Sequence, residues 1–223
     1  MKRCIINVSI GDDVFVKFQD RLISYCKKYI PDIDVLTWTQ KMPIGSKPHN
    51  ESMYGFKMYA FEEAFNMGYD SVIWLDAGTV IKKSIFPLFS LLEKDENGVF
   101  TLYSDADLSN YVNDKTVKYF DVSRDDMDNQ KSKLNYGFVF GFTKESVAYK
   151  EMMIAENCGL FGTFEENQRD TEINCGVLYN GKYVSHRHEE AVLSTIIHKR
   201  KIQIFNHNDF YHMIWFDNER KLI

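Results

Sequence analysis

Asp70-Ser-Val-Ile-Trp-Leu-Asp-Ala-Gly-Thr79 contains a continuous apolar run, Val72 to Leu75, with Gly68 before it and Gly78 after it. A short apolar run between turn residues reads as a strand buried on both faces. The run stops at Asp76. A carboxylate at the tip of a buried strand packs poorly, and in open α/β sheets ligands sit outside the carboxyl ends of the strands. Asp76 can also serve as an ordinary residue that caps the next turn through its side chain. Upstream, Phe56, Tyr59, Ala60, Ala64 and Met67 recur at helical spacing over Gly55 to Met67. The local order is therefore helix, tight turn at Gly68, strand, carboxylate.

The same alternation begins the chain. Cys4 to Ile10 reads as a buried strand that closes in Gly11-Asp12-Asp13, a turn that also supplies a helix N-cap. Phe15, Phe18, Leu22, Tyr25 and Tyr29 place a helix over Val14 to Tyr29, ended by Pro31, and Asp34 to Thr39 reads as a second strand. Strand, helix, strand implies a parallel pair. Gln40 to Asn50, with Pro43, Gly45, Ser46 and Pro48, reads as a mobile functional loop. Lys57 stands near the start of the next helix, where its charge adds to the positive dipole end and suits a phosphate.

Downstream, a short helix is expected over Leu88 to Glu93 and a strand over Val99 to Tyr103. Asp105 to Lys133 is polar, with few apolar anchors, and reads as a surface excursion with short helices and a candidate lid. Leu134 to Phe142 returns as a strand whose Gly137 and Gly141 imply close approach of a ligand or another backbone. Thr143-Lys-Glu-Ser146 is expected to cap a helix over Val147 to Cys158, and Gly159 to Thr171 reads as loop. In Tyr183 to His198, a helix face of Ala191, Val192, Ile196 and Ile197 is preceded by His186, Arg187, His188, Glu189 and Glu190. Acidic residues match a helix N-terminus, whereas two histidines and an arginine do not, which marks the group as functional. Ile202 to Phe205 is a last strand, and His207 follows it.

With 223 residues the chain is long enough for one sizeable domain. The 44% hydrophobic content, with 17 Phe and 13 Tyr, makes it globular rather than disordered. A net charge of -5 argues against a nucleic-acid partner held by a strong positive field. Cys4, Cys26, Cys158 and Cys175 form no CxxC pair, so neither a zinc site nor a disulfide framework is indicated. No signal peptide or membrane span is read, and the expected compartment is the cytoplasm. Without GxGxxG or a Walker A pattern, a dinucleotide or P-loop site is disfavoured.

These pieces resemble the nucleotide-sugar glycosyltransferases of the GT-A fold, in particular their small bacterial and large-virus members. The likeness lies in the first strand with Gly11-Asp12, in Tyr54-Gly-Phe-Lys-Met-Tyr-Ala followed by Gly68 to Gly78, in Asn135-Tyr-Gly-Phe-Val-Phe-Gly-Phe142, and in His186-Arg-His-Glu-Glu-Ala-Val-Leu-Ser194. It covers most of the chain and is weakest over residues 104 to 133. It implies an α/β fold: a single GT-A-like, Rossmann-like domain over residues 1–223, with a mixed, mostly parallel sheet flanked by helices. Residues 1–103 would be the nucleotide-binding half and 104–223 the acceptor-side half. The family's DxD motif departs here, because Gly78 takes the place of its second carboxylate.

The resemblance implies transfer of a sugar from a nucleoside-diphosphate sugar, with a UDP-sugar as donor, to a glycan or glycoprotein acceptor. Charge on the departing diphosphate is neutralised in such chemistry by Mg²⁺ or Mn²⁺ and cations. Asp76 is the expected metal ligand, with His207 as a second and His212 as its alternate. Ser9, Ile10, Gly11 and Thr37 are assigned to the nucleoside, Lys57 to the diphosphate, and Leu75 with Asp76 to the nucleotide-binding strand end. Glu189 is the candidate base of a favoured inverting route and His188 orients it or the donor sugar. The alternatives are a sugar-nucleotide nucleotidyltransferase and a non-catalytic nucleotide- or sugar-binding module.

Overall fold

The computed structural model describes residues 1–163 and 185–217. Cys175 and the segments 164–184 and 218–223 lie outside them, as does most of the loop expected over Gly159 to Thr171. The first half runs β1 (Arg3–Val8), α1 (Asp13–Tyr29), β2 (Asp34–Trp38), α2 (Phe56–Asn66), β3 (Ser71–Leu75), β4 (Thr79–Ile81), α3 (Phe86–Lys94) and β5 (Val99–Asp107). The second runs α4 (Asp114–Phe120), α5 (Arg124–Asn129), β6 (Lys133–Thr143), α6 (Val147–Asn157), α7 (His188–Arg200), β7 (Phe205–Asn206), α8 (His207–Phe210) and β8 (Ile214–Phe216).

The protein is α/β. Its main sheet has the order β2-β1-β3-β6-β5-β7 among the described residues. The β1–β2, β1–β3 and β5–β7 pairs are parallel, and β6 runs antiparallel to both neighbours. β6 belongs to the carboxy-terminal half yet lies between β3 and β5 of the amino-terminal half.

The alternation of side chains along the strands builds a three-layer core. Cys4, Ile6, Val72 and Trp74 face one side, where they join Met58, Phe61 and Phe65 of α2, Met152 of α6 and Leu193 and Ile196 of α7. Ile5, Ile73 and Leu75 face the other, with Leu22 and Cys26 of α1 and Leu88, Phe89 and Leu92 of α3. Every residue of β3 is buried. Full burial of one such aliphatic side chain contributes roughly 1.5–3 kcal/mol, so this strand is a principal anchor of both layers.

Asp12 caps α1, its carboxylate accepting from the Val14 amide. α6 is capped by Ser146, whose hydroxyl accepts from the Tyr149 amide, and not by Thr143, which ends β6. The last expected strand is shorter and later than Ile202 to Phe205. Ile202 packs in the core, its amide bonded to the Ile197 carbonyl, and only Phe205 and Asn206 pair with β5.

The segment after β5 is packed rather than loose. Leu108, Val112 and Met127 form a buried cluster with Leu134 of β6 and Ala191 of α7, so it has the apolar anchors that a lid reading denies it. The Gln40–Asn50 loop is likewise tied down. The Ile44 amide donates to Glu63, Lys47 Nζ lies 3.2 Å from Glu156 Oε1, and the Met53 amide donates to the Gly162 carbonyl at 3.1 Å.

A second, two-stranded sheet pairs β4 with β8. Arg21 of α1 donates to Asp217 at 3.1 Å and to the Gly78 carbonyl at 3.3 Å, and the Asp217 amide donates to that carbonyl at 3.1 Å. These bonds fix the turn that follows Asp76. Cys4 and Cys26 are buried, and burial pushes the Cys26 thiol up to about 12; Cys158 is exposed.

Candidate functional site

β1 sits between β2 and β3. The chain therefore leaves β1 in one direction for β2 and returns past it for β3. A crevice opens at such a point, outside the carboxyl ends of the two strands. Ser9 and Ile10 follow β1, Asp76 follows β3, and all three line one cleft of about 950 Å³. Lys57 of α2, His188, Glu189 and Glu190 of α7, and His207 of α8 line it as well.

At its centre is a charge cluster. Lys57 Nζ lies 2.6 Å from Glu189 Oε1 and 3.5 Å from Asp76 Oδ1, and donates to the Gly137 carbonyl at 2.9 Å. Trp74 Nε1 donates to Asp76 Oδ1 at 2.6 Å. The Asp76 side chain thus faces the cleft, and its turn is closed by the backbone, Thr79 amide to Asp76 carbonyl, at 2.9 Å. Glu190 accepts from the Gly137 amide at 2.9 Å and from Arg187 Nε at 3.2 Å.

Lys57 and Glu189 are both buried, with side-chain exposures of 3% and 4%. Burial pushes the Glu189 carboxyl up to about 7, against the pull of Lys57, and the charges of Glu190 and Asp76 push the same way as burial. Burial alone would lower the Lys57 ammonium, but Asp76 and Glu189 more than reverse it. Both partners of one ion pair are thus raised, although mutual attraction alone would lower the acid. The excess of carboxylates explains this: three surround one ammonium, so the ammonium keeps its proton and the most buried acid acquires a tendency to hold one.

His188 donates from Nδ1 to the Phe161 carbonyl at 2.6 Å in the tautomer that this contact requires, and burial holds its pKa down to about 4. His186 is a core residue. One ring nitrogen meets the Leu160 carbonyl at 2.8 Å, the other accepts from the Asn113 amide at 3.3 Å, and burial pushes its pKa down to about 3. Of the two histidines at the start of α7, His186 binds loops together and His188 reaches the cleft.

Four sequence-assigned residues are not brought into the cleft lining. Thr37 and His212 are exposed. Gly11 is exposed at a φ of 100°, and serves the turn into α1. Leu75 is fully buried in the sheet, paired with Val139 of β6, and its carbonyl accepts from Asn7 Nδ2 at 2.7 Å. Strand alternation accounts for Leu75: alternate residues face opposite ways, and an apolar residue in a central strand faces a core layer rather than the crevice. The Ser9 hydroxyl reaches the cleft but donates to Asn7 Oδ1 at 2.9 Å, which leaves it as an acceptor for a ligand.

Sequence reasoning gave no individual role to Glu190, Tyr54 or His49, nor to the aromatic wall of Tyr136, Phe138, Trp215 and Phe216. Gly137 held a signal for Glu190. A Cβ there would lie 2.6 Å from Glu190 Oε1 and 3.0 Å from Glu189 Oε1, so the glycine makes room for the two acids.

For a divalent cation the cleft offers the Asp76 carboxylate and His207 Nδ1, a buried nitrogen with no hydrogen-bond partner among the described residues. No group of three or more His, Cys, Asp or Glu positioned to hold a metal occurs among those residues. A Cβ at Gly78 would stand 2.7 Å from Phe216 Cε2, so a second carboxylate is sterically opposed there. Mg²⁺ is commonly held by one or two carboxylates together with substrate phosphates and water. The donor set fits that mode rather than an all-protein cage.

No protein-family model and no curated protein matches the chain. Among solved structures, it is similar to a glycosyltransferase involved in the glycosylation of the major capsid of PBCV-1, at 15% identity over 82% of this chain and 81% of that one, with a TM-score of 0.41. A mannose-1-phosphate geranyltransferase from Thermus thermophilus is 14% identical over 72% of this chain and 63% of its own, with a TM-score of 0.42. A197 from STIV is 15% identical over 68% of each chain, with a TM-score of 0.37.

Proposed function

We propose that this protein is a glycosyltransferase that moves a sugar from a nucleoside-diphosphate sugar, with a UDP-sugar as the first donor to try, to a hydroxyl of a glycan or glycoprotein acceptor. The observation that carries the reading is the meeting of Asp76, Lys57 and Glu189 in one cleft at the switch point of the sheet. That cleft supplies a strand-end carboxylate, a buried cation and a carboxyl group poised near neutrality, which are the parts needed to bind a diphosphate and accept a hydroxyl proton.

In this reading Ser9 and Ile10 border the nucleoside, and Lys57 faces the diphosphate as it leaves the anomeric carbon. Asp76 and His207 would hold a Mn²⁺ or Mg²⁺, which supplies further neutralisation of phosphate charge when bound. Glu189 accepts the acceptor's hydroxyl proton. A base works best when its pKa lies near the operating pH, and burial sets Glu189 there. Lys57 holds its carboxylate in place, and the aromatic wall shields the oxocarbenium-like centre from water.

A nucleotidyltransferase is the less favoured reading. The link between β1 and α1 is the short Ser9 to Asp12 turn, without the glycine-rich, basic loop expected around a triphosphate.

Release of nucleoside diphosphate from UDP-glucose and UDP-galactose, with and without a panel of glycan acceptors, tests the reading. The rate should rise with pH through about 7, because Glu189 must lose its proton to act. Glu189→Gln should lower the acceptor-dependent rate on the order of 10²–10⁴-fold and flatten that limb. An unchanged rate in Glu189→Gln would remove the assignment of the base. Turnover that requires a nucleoside triphosphate would favour the nucleotidyltransferase.

A further inference from the structure

Among the described residues, five that are not glycine have a positive φ: Tyr54, Asp121, Lys131, His188 and Lys201. Asp121 and Lys201 are the C-caps of α4 and α7, and Lys131 follows the C-cap of α5, where left-handed backbone is ordinary. Tyr54 and His188 are different. They stand at the amino-terminal ends of α2 and α7, at φ of 60° and 49°. Their rings face one another with centroids 5.8 Å apart, inside the cleft. Strain of this kind persists where the surroundings over-determine it, and it collects at ligand clamps.

The ring of Tyr54 also meets His49, with centroids 5.0 Å apart. Two imidazoles therefore flank contacts of one tyrosine. His188 is 2% exposed, and its Nε2 has no hydrogen-bond partner among the described residues; the same holds for the buried Nε2 of His49. A buried polar atom without a partner is costly, so its retention calls for a reason. Both residues line the cleft although both nitrogens are covered. A ligand reaches them only when a neighbouring ring turns aside, and Tyr54 touches both.

The chemistry of the missing partner follows from the nitrogens. With Nδ1 donating to Phe161, His188 Nε2 is an acceptor and takes an O–H. Burial, with Lys57 adding to it, keeps both rings uncharged near neutrality, which removes the attraction for an anion. No group of three or more His, Cys, Asp or Glu among the described residues is placed to hold a metal ion at these rings. A neutral ligand rich in hydroxyls suits both nitrogens, because a hydroxyl can donate or accept. The position of His49 is built, because its loop is clipped to Glu156 through Lys47 and to Gly162 through Met53.

We propose that His49 and His188 bind hydroxyl groups of the transferred sugar, and that Tyr54 is the side chain that yields to admit it. This rests on the nucleotide-sugar reading above, in which His188 already orients the base or the donor sugar, and adds to it the hydroxyl contacts, His49 and the yielding Tyr54. A site built to hydrogen-bond a hydroxyl discriminates strongly against ligands that lack it, because its own polar groups are then left unpaired.

The test is calorimetry on the full chain, in the presence of Mn²⁺, with UDP, GDP and ADP and with their hexose conjugates. In the wild type, one conjugate should bind at least about tenfold more tightly than its own diphosphate. In His49→Phe that sugar-dependent gain should vanish while the diphosphate affinity stays within about twofold, and His49→Gln, whose amide can replace Nε2, should keep most of the gain. Persistence of the gain in His49→Phe overturns the proposal. So does an equal loss for diphosphate and conjugate, which would give His49 a scaffolding role. Diphosphates that bind with no gain from the sugar overturn the proposal and leave the nucleotide reading standing. Failure of every diphosphate and conjugate to bind the wild type removes that reading, and the proposal with it.

Discussion

Lys57 is the residue on which the cleft turns. Among the described residues it is the one ammonium against Asp76 and Glu189, and it reaches Gly137 as well. Removing one partner of a buried pair leaves the other charge uncompensated, at a cost of roughly 3–5 kcal/mol. Lys57→Met should lose stability on that scale at about pH 8, where Glu189 is ionised, and clearly less at about pH 5.5, where it carries a proton. The sign follows from the pull of Lys57 on Glu189: without it the carboxyl rises further above its ordinary range, so the variant loses more stability than the wild type as pH rises through about 7. Urea melts at the two pH values check this, and equal losses would contradict it. At this scale, legibility was partial. Asp76 could be read because a buried run ended in a carboxylate, and Lys57 because it opened a helix. Their union with Glu189 could not, since that bond joins residues 132 apart in sequence. Glu190 was named with the polar group at the start of α7 but given no role of its own, because an acid in a first helical turn already has an explanation in the dipole.

Among the elements, β6 does most to shape the site. It is the antiparallel strand between β3 and β5, and its glycines permit two close approaches. At Gly137 the neighbours are the carboxylates of α7; at Gly141 they are the Val72 carbonyl and Ile73 Cγ1, each 2.9 Å from where a Cβ would stand. Backbone cannot step aside as a side-chain tip can. Gly141→Ala should therefore cost roughly 1–3 kcal/mol through overpacking, and a denaturant melt with an unchanged slope measures it. A neutral result would mean that β3 and β6 separate freely. The glycines were legible as marks of close approach, but what approached was not. The long strands and helices were legible from their periodicity. β4 and β8 were not, because three residues hold too little of a two-residue period to be recognised, and their pairing depends on chain that lies far away.

For the whole molecule, the strand order positions the cleft. Because β1 lies between β2 and β3, the sheet opens a crevice where Ser9, Ile10 and Asp76 emerge, and α2, α7 and α8 deliver Lys57, Glu189 and His207 to it. The α/β class could be read from the first alternation of strand and helix. The packed cluster of Leu108, Val112 and Met127 could not, because those anchors are scattered through a polar stretch and find their partners on β6 and α7. No helix among the described residues is long and apolar enough to cross a membrane. The proposed chemistry requires the crevice to bind a nucleoside diphosphate through the carboxylate at the end of β3, with a divalent cation between them. Calorimetric titration of UDP in the presence of Mn²⁺, on the wild type and on Asp76→Ala, tests that requirement most directly. At least about a tenfold loss of affinity is expected in Asp76→Ala, as when a ligand to a phosphate-bound cation is removed. Equal affinities in the two proteins would contradict it.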